Sequence, residues 1–265
     1  MTESEPRLLL LVAHPDDAEA YAGGLMTRYR DLGRAVKWVS LTNGDAGHHR
    51  LRGPDLARRR AEESAAAAAL IGAEHAVWDV PDGHLEASLE LRWKVVGEIR
   101  RWKPDLVLTH RPWDYHPDHR AAGRLVLDAC YLVTVPALVS EAPALVRDPV
   151  VGFLCDPFTR PVAFRADVVL DICAEFDRVV SMLDCHASQM YEWLPVNRGV
   201  VESVPADPEQ RKIWLGEVYR SEFAGAAARR YGEGSVELAE AFEIAEHGRR
   251  PEQEEVRRLF PVRTS

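Results

Sequence analysis

The chain alternates between unbroken apolar runs and stretches with helical spacing. Residues 7–13 (RLLLLVA) form a continuous apolar run, the mark of a strand buried on both faces. Residues 18–32 then show helical periodicity that stops at Gly33, a residue suited to a left-handed cap. A second strand is predicted over 35–42 (AVKWVSLT), followed by a glycine-containing loop over 43–53. Pro54 opens a long helix that ends at Gly72, with five consecutive alanines, Ala65 to Ala69, consistent with tight helix packing. A third strand is predicted over 75–80, ahead of the turn Pro81-Asp82-Gly83. Ser88 can cap a helix running to about Trp102, residues 105–110 (DLVLTH) read as a fourth strand, and a helix spans about 118–132.

Strands and helices at this spacing imply βαβ units with right-handed crossovers. The fold class expected is α/β: a Rossmann-like parallel sheet flanked by helices, with a less regular C-terminal portion packed on it. In that second half, 150–155 and 162–170 read as strands, 174–193 and 208–230 as helices, and 235–247 as a further helix. The tail from Arg249 is charged and expected to fray. With no repeat and no low-complexity linker, one unit over 1–265 is expected. It divides into a core over 7–135, a C-terminal portion over 136–248 that forms part of a pocket, and the tail over 249–265.

Composition narrows the partner. A net charge of −9 argues against a nucleic-acid binder, which normally carries a basic face. The apolar run at 8–13 is too short for a signal or a membrane span, so no membrane association is expected. Cys130, Cys155, Cys173 and Cys185 are scattered without CxxC spacing, which reads as reduced thiols and a cytoplasmic location.

Ligands of an open parallel sheet bind beyond the carboxyl ends of its strands, and the unusual polar residues fall there. His14-Pro15-Asp16-Asp17 follows the first predicted strand, Asn43 to Gly47 the second, Pro81 to Gly83 the third, and His110 with His116-Pro117-Asp118-His119 the fourth. His14 and Asp17, three apart across a strand-to-helix turn, are normal zinc ligand types, and Asp16 between them is free to take a proton from water. Taken alone, HPDD is equally a helix cap beside a packed histidine. His116 and His119 have HxxH spacing at a helix start, so one can ligate while the other faces substrate; taken alone they are also compatible with a solvated helix start. Catalytic zinc usually has three protein ligands and one open position, and His14, Asp17 and one histidine of the second cluster make such a set.

The sequence resembles the PIG-L/LmbE superfamily of zinc-dependent N-acetylglucosamine deacetylases and related amidases. The resemblance rests on LVAHPDDAE (Leu11 to Glu19), TNGDAG (Thr42 to Gly47), the arginine-rich helix start with Glu62 and Glu63, PDG (Pro81 to Gly83), HPDHR (His116 to Arg120) and HASQ (His186 to Gln189). It covers about residues 7–190. The pair HPDD and HPDH in this order is specific; each other piece is weak alone. One departure is Ala18 directly after HPDD, where the family often has Glu; here Glu19 comes next.

The resemblance implies that His14, Asp17 and His119 bind zinc and that Asp16 is the general base. His116 stabilises the oxyanion or acts as acid, and Asp118 orients His116. Arg60 is the best match for a substrate-contacting arginine, with Arg58 and Arg59 as competitors. Asp82 contacts sugar hydroxyls, and Tyr115 is placed to swing over the site or to pack within its loop. Asp45 reads as a loop-shaping residue, His186 as either site wall or structural bond, and His110 as a neighbour of the metal ligands. Histidines 48, 49, 75, 84 and 247 read as surface or packing residues.

The function implied is zinc-dependent hydrolysis of the acetamide of an N-acetyl amino sugar or glycoconjugate to amine and acetate. Three alternatives stay open: an amidase cleaving a thiol-conjugate amide, a metal-binding module without activity, and a nucleotide-binding sheet. The last is disfavoured because HPDD replaces the glycine-rich turn after the first strand. Family members include trimers and hexamers, so a homo-oligomer is also an expectation.

Overall fold

The computed structural model describes residues 5–139, 141–232, 234 and 236–262. Five parallel strands carry the core: β1 (Leu8–Val12), β2 (Val36–Ser40), β3 (Glu74–Val77), β4 (Leu106–Thr109) and β5 (Val150–Leu154). Their order is β3-β2-β1-β4-β5, so the direction of winding reverses between β1 and β4. That reversal opens the crevice in which open α/β sheets bind ligands.

The leucine run of β1 has no polar alternation because both faces are covered. Leu8, Leu10 and Val12 pack under α1 (Asp17–Asp31), α2 (Gly53–Ile71) and α5 (Phe176–Cys185). Leu9 and Leu11 pack on the other face under α3 (Leu89–Trp102) and α4 (Pro117–Ala129). Ser88 caps α3 by accepting the Leu91 N–H at 3.3 Å. Arg100, fully buried on α3, donates to the carbonyls of Leu132, Val133, Val135, Val139 and Ala142, which organises the loop after α4.

The second half departs from the sequence-based expectation in four places. The strand expected over 162–170 is confined to β6 (Val168–Asp171). The helix expected over 174–193 stops at Cys185 and resumes, after a wide helical turn over Ser188–Trp193, as α6 (Leu194–Asn197). The helix expected over 208–230 is likewise split, into α7 (Pro208–Tyr219) and α8 (Gly225–Tyr231), by a second wide turn.

The helix expected over 235–247 is instead β7 (Ala239–Ile244), antiparallel between β5 and β6 (Ser235 lies outside the described residues). Its segment AEAFEI is built from helix formers, yet Ala239 to Phe242 are all buried. Sheet pairing and cover on both faces override that propensity. The C-terminal portion therefore extends the sheet rather than only packing on it, and the sheet is mixed. Its order is completed as β3-β2-β1-β4-β5-β7-β6.

The tail is not frayed throughout. Residues Gln253–Leu259 form α9, and Leu259 and Phe260 reach the core, where the Phe260 ring meets that of Phe242 at 5.3 Å. Burial of two large apolar side chains outweighs the charge of the segment. Among the described residues no helix is long and apolar enough to cross a membrane, and the four cysteines are free thiols.

Candidate metal centre

Two chain reversals at the crevice between β1 and β4 build the site. β1 ends into His14-Pro15-Asp16-Asp17, and Asp16 takes a left-handed conformation with φ 120°. That conformation is costly for a residue with a Cβ and typical of functional turns. Beyond β4, His116 is the N-cap of α4: its Nδ1 accepts the Asp118 N–H at 3.2 Å, and Pro117 occupies the first helical position. α4 lies so close to the end of β4 that a Cβ on Gly123 would overlap the His110 carbonyl. This approach brings His116 and His119 over the end of β1.

Donor atoms of three residues converge, Asp17 through both of its carboxylate oxygens. His14 Nδ1 lies 3.3 Å from His119 Nε2 and 3.4 Å from Asp17 Oδ2, and His119 Nε2 lies 3.6 Å from Asp17 Oδ1. Ligands about 2.1 Å from a tetrahedral zinc stand about 3.4 Å from one another, and each of these separations is of that size; His14, His116 and His119, and Asp17, His110 and His119, are groups whose donor atoms are close enough to hold one ion. The outer ring nitrogens support the same reading. His14 Nε2 faces Asp118 at 3.3 Å and Asp82 at 3.2 Å, and His119 Nδ1 faces Asp114 at 3.1 Å. Carboxylates in that position hold the proton on the outer nitrogen and leave the inner lone pair for a cation.

Asp17 Oδ2 also accepts the His14 N–H at 2.7 Å and lies 3.2 Å from His110 Nε2, whose ring stacks on His119 at 3.9 Å. Burial raises the Asp17 carboxyl, but His119, His110 and His14 outweigh it and hold it well below the usual carboxylate range.

Asp16 faces a different partner. Its Oδ1 lies 3.3 Å from Arg60 Nη2, which also donates to the Pro15 carbonyl at 2.6 Å. Burial pushes the Asp16 carboxyl up to about 6; Arg60 opposes the shift and Asp17 adds to it. Gly44, at φ +67°, is required beside this pair, because a Cβ there would overlap the Arg60 guanidinium.

Three residues stand in places other than those the resemblance implied. Asp118 meets the His116 ring through its backbone N–H and not its carboxylate, which accepts from the Gly83 and Leu85 amides at 2.7 and 3.1 Å and faces His14. Its fully buried position under the PDG turn directs it there. Asp82 turns its Oδ1 to His14 Nε2 and lies 3.9 Å from Arg60, rather than opening toward a sugar. Arg60 is 2% exposed and bonded to the backbone and Asp16, so it positions a carboxylate instead of presenting a free cation.

His116 and Tyr115 remain at the opening. With Nδ1 accepting, the neutral His116 ring carries its proton on Nε2; burial, with His14 and His119 next, holds it below the usual histidine range. Tyr115 is exposed, and its ring lies 5.7 Å from that of His116 and 5.5 Å from that of His119.

Several residues in the surrounding shell were singled out weakly or not at all. His186 and Glu19, both fully buried, pair at 2.9 Å behind the turn that carries Asp16. Asp45 accepts the Asp82 N–H at 2.9 Å and shapes the PDG loop. His48 is a tie rather than a surface residue: Glu192 bonds it at 2.9 Å and also receives Arg59, which pins the 43–53 loop to the wide turn over Ser188–Trp193. Asp114 was missed; its only sequence signal is its place five residues ahead of His119.

Known proteins resemble this chain in sequence and in fold. Residues 9–130 match the PIG-L family model, described as GlcNAc-PI de-N-acetylase. A diacetylchitobiose deacetylase of Thermococcus kodakarensis is 35% identical over 137 residues, 49% of this chain and 51% of that one. The match thus spans about half the length of that relative. A 4-oxalmesaconate hydratase of Pseudomonas putida is 26% identical over 202 residues, covering 73% of this chain and 78% of the hydratase. The structure of N,N'-diacetylchitobiose deacetylase from Pyrococcus horikoshii superposes with a TM-score of 0.71 at 21% identity, over 91% of this chain and 84% of that one. At that identity the superposition speaks for the fold alone. The resemblance carried by HPDD and HPDH is thereby borne out: residues 9–130 of this chain are similar to the PIG-L family.

Proposed function

We propose that the chain is a zinc-dependent N-deacetylase acting on the acetamide of an N-acetylated amino sugar or sugar conjugate. The observation that carries this reading is the convergence of His14, Asp17 and His119 donor atoms beside the half-buried, raised carboxyl of Asp16. Zinc, when bound, supplies a Lewis acid that polarises a carbonyl and makes water more acidic.

The chain's own groups do the rest. Asp16, held by Arg60, accepts a proton as water adds to the acetamide carbon. His116 Nε2–H donates to the oxygen that gains charge, a role a neutral imidazole can fill. The C–N bond then breaks, the proton held by Asp16 passes to the departing nitrogen, and acetate and amine are released. Asp82, Asp118 and Asp114 hold His14 and His119 in orientation. A second oxyanion contact from Tyr115 is compatible with its place beside His116.

A hydratase reading has one observation in its favour, the hydratase relative that the match covers more fully. Against it, a carboxylate substrate calls for unpaired cations at the metal. Arg60 here is engaged by Asp16 and Arg111 by Asp156, and Asp82 and Asp114 add negative charge.

The test is acetate release from a panel of N-acetyl sugars and thiol-conjugate amides, beside metal analysis. Asp16→Asn is expected to keep stoichiometric zinc and lose about 10²–10⁴-fold in turnover. His119→Ala is expected to lose the metal as well. Near-wild-type turnover in Asp16→Asn, or full zinc in His119→Ala, would sink these assignments.

A further inference from the structure

A cavity of about 280 Å³ opens beside the metal centre. It shares walls with that centre. Asp114, which faces His119, and Tyr115, whose ring meets that of His119 edge-on at 5.5 Å, both line it, as does Tyr21, whose ring lies 6.1 Å from that of His110. The remaining wall comes from the C-terminal portion: Phe158, Tyr219, Phe223, Ala226, Ala227 and Tyr231. An apolar cavity of about 150 Å³ suffices to hold benzene, so this one has room for a ring with a short substituent.

The polar groups of the cavity limit what fits. Its arginines are engaged: Arg198 pairs with Glu222, and Arg230 donates to the Pro157 carbonyl at 3.0 Å. Asp156 is taken by Arg111. Glu240 at the floor accepts from the Gly24 and Leu25 amides. The buried Tyr231 hydroxyl makes no hydrogen bond, and the rings of Tyr21, Tyr115, Tyr219 and Tyr231 bring further hydroxyls to an otherwise apolar lining. With Asp114, Asp156, Glu222 and Glu240 set against Arg198 and Arg230, the lining disfavours a phosphate or carboxylate, and its rings and alanines favour an apolar group that carries little polar surface.

We propose that this cavity is a specificity site for an apolar, ring-sized substituent, so that the preferred substrate is an N-acetylated sugar carrying an aryl aglycone rather than a free sugar. This rests on the deacetylase reading, since it names the substrate class of that same site. The sugar would sit over His116, with its acetamide at the metal centre and its apolar substituent between Tyr115 and the Phe223–Tyr231 wall.

The experiment has two arms on the zinc-loaded protein. In the first, kcat/KM for acetate release is compared between N-acetylglucosamine and its 4-nitrophenyl glycoside, with a preference of about tenfold or more expected for the latter. In the second, calorimetry compares 4-nitrophenyl glucoside with methyl glucoside, neither of which carries an acetamide. The aryl glucoside is expected to bind at least tenfold tighter.

Ala226→Trp fills the cavity and is expected to abolish both preferences. Ala227→Leu, a smaller filling, is expected to reduce them and serves if the tryptophan variant does not fold. Equal binding of the two glucosides, or an aryl preference unchanged in the folded filled variant, overturns the cavity assignment. Aryl binding that Ala226→Trp removes, without acetate release from any N-acetyl sugar, upholds the cavity and overturns the deacetylase reading.

Discussion

The parallel half of the molecule and the portion that follows it solve different problems. In residues 7–135 the chemistry is local: each reacting group sits within a few residues of a strand end or helix start, and the sheet brings those ends together. From Val150 onward no residue belongs to the donor set, yet the segment completes the sheet, covers α1 and supplies most of the cavity wall. On the proposed function the two halves divide the work, metal and proton transfer on one side, cover and selection on the other. Predictions that damage one function while sparing the other test the division.

The largest effect on stability is expected from the chain's end. Phe260 is 2% exposed and packs on Phe242 of β7, far in sequence from any donor atom. Phe260→Ala should cost about 3–5 kcal/mol in denaturant unfolding, while the zinc content of the folded protein stays stoichiometric. Loss of zinc from folded Phe260→Ala would show that the halves do not act separately.

Glu240 is a joint between the halves. α1 breaks from helical geometry at Ala22, which frees the Gly24 and Leu25 amides, and Glu240 of β7 accepts both at 2.6 and 2.9 Å. Burial pushes its carboxyl up to about 8; the two amides and Arg28 oppose the shift and Glu175 adds to it. Tyr219 also faces it, its own hydroxyl raised by burial and by Glu240.

The folded state thus holds this proton over a window, from about pH 4.5 to about pH 8, in which the unfolded chain has already released it. Stability from this group is fully present below that window and is lost as pH rises through it. Unfolding free energies of the wild type measured from pH 5 to 8 should fall relative to those of Glu240→Gln. Parallel curves for the two proteins would overturn the assignment.

How much could be read from the sequence follows the same division. The long apolar runs of β1, β2 and β4 and the HPDD and HPDH clusters were legible because strand, turn and ligand are adjacent in the chain. β7 was not, because AEAFEI has helical propensity and becomes a strand only where β5 and β6 flank it. α9 was not, because Leu259 and Phe260 are too few to outweigh the surrounding charges until the core receives them. Within the site, residue types were legible but partners were not. Asp118 and Asp82 both turn to His14 across more than 60 residues of chain, and no spacing rule reports that contact.

The smallest effect expected is also the one that separates a holder of the metal ligand from a holder of His116. Asp118 is fully buried; its carboxylate receives the Gly83 and Leu85 amides and faces His14 Nε2 at 3.3 Å. Asp118→Asn keeps the volume but removes the charge that fixes the proton on Nε2. Such a partner is worth about 10–100-fold in metal affinity, so competition with a chelator should show zinc held that much more weakly, while turnover at saturating zinc changes less. If Asp118 instead served His116, the same variant would bind zinc normally and lose turnover. Because His14 is held by Asp82 as well, the double variant Asp82→Asn/Asp118→Asn should weaken zinc further than either change alone, whereas a role at His116 predicts no such coupling.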